Sequence, residues 1–99
     1  MRSVLIVDDD FVTRETLRNL LQRENIAVDL ACDTYDAIRH LRETRFDAVL
    51  TDIVMPGGGF KLVSSVRALQ PGTPIIVLTG YDTVESRARA SRPAATSAR

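Results

Sequence analysis

The sequence predicts an α/β fold, a parallel sheet with helices on both faces. Three observations predict it. Short apolar, β-branched runs alternate along the chain with longer stretches of helical period. The runs are apolar at consecutive positions, as strands buried on both faces are. The loops between each strand pattern and the helical pattern beside it are short, so successive strands are joined as βαβ units through crossover helices.

Each element has its own signal. Ser3 to Val7 is a first strand. Phe11 to Asn25 contains no Gly or Pro, and Val12, Leu17, Leu20 and Leu21 suit one helical face, with Arg14, Glu15, Arg18 and Arg23 outside. Ile26 to Cys32 reads as a second strand, apolar but for Asp29, with Cys32 at a buried strand end. Asp33 or Thr34 caps a second helix that runs to about Thr44 and buries Ala37, Ile38 and Leu41. Ala48 to Asp52 is a third strand, and Thr51 within it reads as packing. Pro56-Gly57-Gly58-Gly59 is a loop by composition. Phe60 to Leu69 is a third helix, stopped by Gln70-Pro71-Gly72. Pro74 to Thr79 is a fourth strand broken by Gly80. Asp82 or Thr83 caps a fourth helix that fades before Pro93.

Composition narrows the function. The 99 residues make one domain. Thirteen basic and thirteen acidic residues cancel, so no global charge marks a nucleic-acid binder. One cysteine excludes a disulfide framework and a cysteine-based zinc site. The apolar opening run meets Asp8-Asp9-Asp10 too soon for a signal peptide, so a cytoplasmic protein is expected. From Glu85 onward the chain has four Arg, one acid and no Val, Ile, Leu, Met, Phe or Tyr, and 87–99 reads as a tail, helical to about 92 and then disordered.

In open α/β sheets, ligands bind outside the carboxyl ends of the strands. The first strand ends in Asp8, Asp9 and Asp10, the third in Asp52, the fourth in Thr79. With the first and third strands adjacent, at least three carboxylates converge, and such a cluster is relieved by a cation or a proton. An all-oxygen donor set suits Mg2+, which recruits phosphate oxygens as further ligands. The arrangement fits phosphoryl chemistry with a carboxylate nucleophile. Asp8 to Asp10 have a plainer role open to them, as caps of the first helix.

The motifs Val4-Leu5-Ile6-Val7-Asp8-Asp9-Asp10, Ala48-Val49-Leu50-Thr51-Asp52-Ile53-Val54-Met55-Pro56-Gly57 and Pro74-Ile75-Ile76-Val77-Leu78-Thr79-Gly80 resemble the receiver domain of two-component response regulators over residues 3 to about 86. The resemblance implies a flavodoxin-like sheet of order 2-1-3-4. It implies Asp52 as the phosphoacceptor from a sensor histidine kinase. It gives Mg2+ to Asp8, Asp9, Asp52 and the backbone carbonyl of Val54, and makes Thr79 the hydroxyl that senses the phosphoryl group. Pro56 and Gly57 would shape the loop over the site, and Tyr81 would gate or cover it.

The resemblance breaks near Ser86. Family members continue to a fifth strand, a lysine that pairs with the phosphoryl group, and a fifth helix; here the only lysine is Lys61. The expectation is a receiver cut short at four strands, with no output domain. Its fourth strand would be an open edge, paired in a homodimer or higher oligomer through that edge and the fourth helix. Two other functions stay open. One is an interaction module that is never phosphorylated, sequestering a kinase or pairing with a full regulator. The other is a Mg2+-dependent phosphohydrolase with an aspartyl-phosphate intermediate, against which stands Val54 where those enzymes place a second acid.

Overall fold

The computed structural model describes residues 2–52 and 59–78, and the backbone of 96–97. The elements are β1 (Ser3–Val7), α1 (Phe11–Arg23), β2 (Ala27–Ala31), α2 (Thr34–Glu43), β3 (Ala48–Asp52), α3 (Gly59–Leu69), β4 (Ile75–Leu78) and β5 (Thr96–Ser97). The sheet is parallel throughout, in the order β2-β1-β3-β4-β5. Its first four strands have the expected order 2-1-3-4.

The chain makes one strand more than expected. Thr96 and Ser97 pair with Ile76 and Val77 of β4. The four-strand reading missed it because this segment carries no apolar residue; main-chain hydrogen bonding to a waiting edge needs none. The fourth strand is therefore not the bare edge that was expected. The fourth helix lies outside the described residues.

Strand alternation sends side chains to two faces. On one, Leu5, Val7, Ala31, Val49, Ile75 and Val77 pack with Ala37 and Leu41 of α2, Leu62 and Val66 of α3, and Phe46. On the other, Val4, Ile6 and Leu50 are buried, with Leu17 and Leu21 of α1 and several strand residues partly buried beside them. α1 departs from its expected face. It buries no residue fully, and Val12 and Leu20 are exposed. Ala37 and Leu41 are buried as expected, whereas Ile38 is partly buried. Cys32 is exposed rather than buried, because β2 ends one residue before it.

Two helix boundaries have local causes. α1 stops at Arg23, not Asn25, because Asn25 takes a left-handed φ of 61°. The Asn25 N–H donates to Gln22 O and the Ile26 N–H to Leu21 O, which is the Schellman arrangement closing the helix. α2 starts after Asp33, whose carboxylate accepts the Asp36 N–H at 2.8 Å.

Beneath α2 and α3 lies a polar knot. The buried Gln70 amide donates to the carbonyls of Leu41 and Thr44, and its oxygen accepts from Phe46 N–H and the Thr73 hydroxyl. This joins the ends of both helices to the start of β3.

Candidate functional site

β1 and β3 are neighbours, with Val7 level with Thr51. Asp8 and Asp52 therefore leave the sheet side by side at its carboxyl end. Tight strand packing fixes both backbones: Val7 is fully buried and Thr51 nearly so. Asp8 is itself only 3% exposed, Asp52 is partly buried, and Asp9 and Asp10 are exposed.

The three consecutive aspartates have separate tasks. Asp10 caps α1: its carboxylate accepts the Thr13 N–H at 2.9 Å and the Thr13 hydroxyl at 2.5 Å. Those bonds hold its carboxyl below the ordinary range, the hydroxyl contributing most. Asp8 closes the turn, its Oδ1 accepting the Asp10 N–H at 2.8 Å. Asp9 projects to solvent between them. The capping role is thus Asp10's, and Asp8 and Asp9 keep carboxylate oxygens for other work.

Burial pushes the Asp8 carboxyl above its ordinary 3.8. The Asp10 N–H opposes that, while the charges of Asp52, Asp9 and Asp10 add to it. The carboxylates of β1 and β3 therefore share one electrostatic field. They do not close into a cage: among the described residues no group of three acidic, histidine or cysteine side chains stands in metal-holding geometry. The expected convergence of three carboxylates is thus a shared field only. An open, oxygen-only arrangement with buried Asp8, partly buried Asp52 and exposed Asp9 suits Mg2+, which keeps several waters and needs only one or two carboxylates held directly. The donor set fits that ion. Val54, Thr79, Pro56, Gly57 and Tyr81 lie outside the described residues.

Sequence reasoning missed Arg14, which it placed on the outer face of α1. Its Nη1 donates to the Asp8 carbonyl at 2.7 Å, and its guanidinium lies 5.8 Å from the Phe11 ring centroid. The signal was present in the spacing: Arg14 lies in the first turn of α1, six residues after Asp8, within reach of a long side chain folded back along the helix. Lys61 is exposed as expected, but its ammonium lies 4.7 Å over the Tyr35 ring. A cavity of about 200 Å3 lined by Arg42, Glu43, Arg45, Leu69 and Gln70 opens at the opposite end of the sheet and holds none of the predicted site residues.

The family model of the response regulator receiver domain matches residues 4–97. The response regulator MprA of Mycobacterium sp. (strain KMS) is 38% identical over 85 residues, which is 85% of this chain and 37% of that protein. The chain thus spans little more than a third of the length of the curated relatives it matches. Among solved structures, the response regulator TrrA of Thermotoga maritima, in complex with Mg2+-BeF, is 33% identical with a TM-score of 0.83, covering 98% of this chain and 84% of that one. A response regulator of Burkholderia pseudomallei with a phosphorylated aspartic acid, a calcium ion and citrate is 28% identical with a TM-score of 0.83, covering 98% and 58%. The order of the sheet, the acidic ends of β1 and β3 and the match over nearly the whole sequence agree: the chain belongs to the response regulator receiver domain family.

Proposed function

We propose that this chain receives a phosphoryl group on Asp52 from a phosphohistidine of a sensor histidine kinase, with Mg2+ held by Asp8, Asp9, Asp52 and the Val54 carbonyl. The observation that carries the reading is the pairing of the β1 and β3 ends, which sets Asp52 in the field of the buried Asp8. Two relatives support it: one is solved with Mg2+-BeF and another with a phosphorylated aspartic acid. Receiver domains are in general signalling domains rather than enzymes, and Mg2+ binding and aspartate phosphorylation are typical of them.

The transfer is an in-line displacement. An Asp52 carboxylate oxygen forms the new bond to phosphorus, the bond to the imidazole nitrogen breaks, and that nitrogen keeps the electron pair. Mg2+ supplies positive charge against the phosphoryl oxygens when bound. Asp8 is tied through Oδ1 to the turn, and its second oxygen would be the one to hold the cation. Asp9, exposed, gives the site its access to solvent. The Thr79 hydroxyl is assigned to the phosphoryl group.

The test is intact mass after incubation with acetyl phosphate and Mg2+. The expected gain is ~80 Da in the wild type and none in Asp52→Ala, as a single acyl phosphate requires. No gain in folded, Mg2+-binding protein overturns the transfer and leaves the second reading, a binding role without phosphorylation. What favours that second reading is the engagement of the chain's only lysine with Tyr35.

The same reading places the chain in the cytoplasm; among the described residues no helix is long and apolar enough to cross a membrane. It also includes a homodimer across the β4 edge. Two positions of β4 already pair with β5, which limits such contact to what β5 leaves. A single monomer mass independent of concentration in sedimentation overturns the dimer.

A further inference from the structure

The β1–α1 turn contains a tether that the transfer itself does not use. Arg14 begins inside α1, where its N–H donates to Asp10 O at 3.1 Å. Its guanidinium then returns along the helix to the first carbonyl beyond β1, donating Nη1 to Asp8 O at 2.7 Å. The Phe11 ring flanks the guanidinium. A charged donor on a carbonyl at this length is a strong hydrogen bond. The carbonyl of Asp8 belongs to the Asp8–Asp9 peptide, whose plane is rigid. Asp8 and Asp10 are each fixed through their own carboxylates. Asp9 has no such anchor among the described residues: its carboxylate makes no hydrogen bond to them, and it is exposed.

We infer that Arg14 is a positioning residue for the cation site, holding the Asp8–Asp9 peptide and with it the stretch of backbone from which the Asp9 carboxylate leaves the chain. This rests on the Mg2+ assignment above and extends it to a residue in the first helix. Hydrogen-bonded partners behind metal-binding carboxylates typically change metal affinity about tenfold or more when removed.

Charge and positioning make opposite predictions here. Arg14 is a cation beside an acidic pocket, and removing it should favour another cation by simple electrostatics. If Arg14 instead orients the ligand, its removal weakens Mg2+ binding.

The experiment is Mg2+ titration of wild type, Arg14→Met and Arg14→Lys, followed by calorimetry and by amide chemical shifts. It is done where urea titration shows each variant fully folded, so a loss of stability cannot imitate a loss of affinity. The expected result is an affinity about tenfold weaker in Arg14→Met, with Arg14→Lys recovering the larger part through its own N–H donor. Unchanged or tighter binding in Arg14→Met overturns the assignment, as does a lysine variant as weak as the methionine one. Absence of saturable Mg2+ binding in the wild type is a different failure and removes the cation site itself.

Discussion

The two faces of the sheet are made by the same strands and bury very different amounts. On the side of α2 and α3, eleven described residues form one buried cluster, and both helices contribute fully buried side chains. On the side of α1, among the described residues, only Val4, Ile6 and Leu50 form the buried cluster, and the helix contributes none. The difference separates two jobs. The α2/α3 face supplies the cohesion that holds β1 and β3 in register. The α1 face supplies less packing, but its helix brings the turn of Asp8–Asp10 and the Arg14 tether to the site.

The largest test of that contrast compares two leucines. Leu62 of α3 is fully buried, and Leu62→Ala should cost about 3 kcal/mol of stability. Leu20 of α1 is 50% exposed, and Leu20→Ala should stay within about 0.5 kcal/mol. Urea midpoints at fixed m-value measure both. Equal costs would mean that α1 is anchored as firmly as α3, and would break the comparison.

Next comes the polar knot on the same face. Gln70→Ala strands the Phe46 N–H and removes the donor from two carbonyls, one of them in a buried bond. Leaving such groups unpaired should cost about 2 kcal/mol. Gln70→Glu removes the amide donor but keeps an acceptor for Phe46, and should be no better than Gln70→Ala at neutral pH, since it adds a charge among carbonyls.

Gln70 also shows where sequence reading stops. β1, β3 and the start of α2 were legible because each follows from local pattern: apolar β-branched runs, and a pair of capping residues, Asp33 and Thr34, of which Asp33 is the cap. Asp8 and Asp52 were legible as strand ends, since the βαβ rule brings the ends of parallel strands together. Gln70 gave no local sign of burial; its partners lie up to 29 residues away, and only tertiary packing selects them. Arg14 and Cys32 were misplaced for a related reason. Helical period says which residues share a face, but a long side chain can fold back over the helix end, and a strand that ends one residue early exposes its neighbour. The Asn25 stop was present in the sequence, and the absence of Gly concealed it, although Asn also adopts the left-handed conformation.

The acidic end of the sheet should respond to pH in the direction its crowding dictates. The folded chain holds the Asp8 proton more tightly than the unfolded chain does, because burial and the neighbouring carboxylates raise its pKa above 3.8. Ionised Asp8 therefore costs stability, a cost absent below 3.8 and complete once pH has risen through the raised folded value. Asp8→Asn keeps an Oδ1 acceptor for the Asp10 N–H and drops the charge. It should be more stable than wild type at pH 7 and lose that advantage at low pH. Mg2+ should stabilise wild type more than Asp8→Asn, narrowing the gap or reversing it. A wild type that remains the more stable at pH 7 without Mg2+ would show that the Asp8 charge is already compensated.

The smallest effect is expected on α2, at Asp36, and its sign is the reverse. Burial works against the Asp36 carboxylate, but the Arg39 hydrogen bond at 2.6 Å, the Cys32 N–H and the charges of Arg39 and His40 outweigh it, so its pKa lies below 3.8. As pH falls the unfolded chain takes up this proton first. The stability Asp36 contributes is full above 3.8 and is lost as pH falls through the lower folded value. The pair with Arg39 is exposed on the arginine side, so Asp36→Asn should cost only about 0.5 kcal/mol at pH 7. Added salt should shrink that cost further. Measured side by side across pH, the two asparagine variants diverge from wild type in opposite directions at neutrality and converge on it in acid. Two carboxylates in one small domain would then be separated by environment alone: the one at the site destabilises the fold when ionised, and the one on the helix of the well-packed face supports it. If both variants moved the same way, the sheet's ends and its helices would share one electrostatic environment, and the crowding at Asp8 would have no special place in the site.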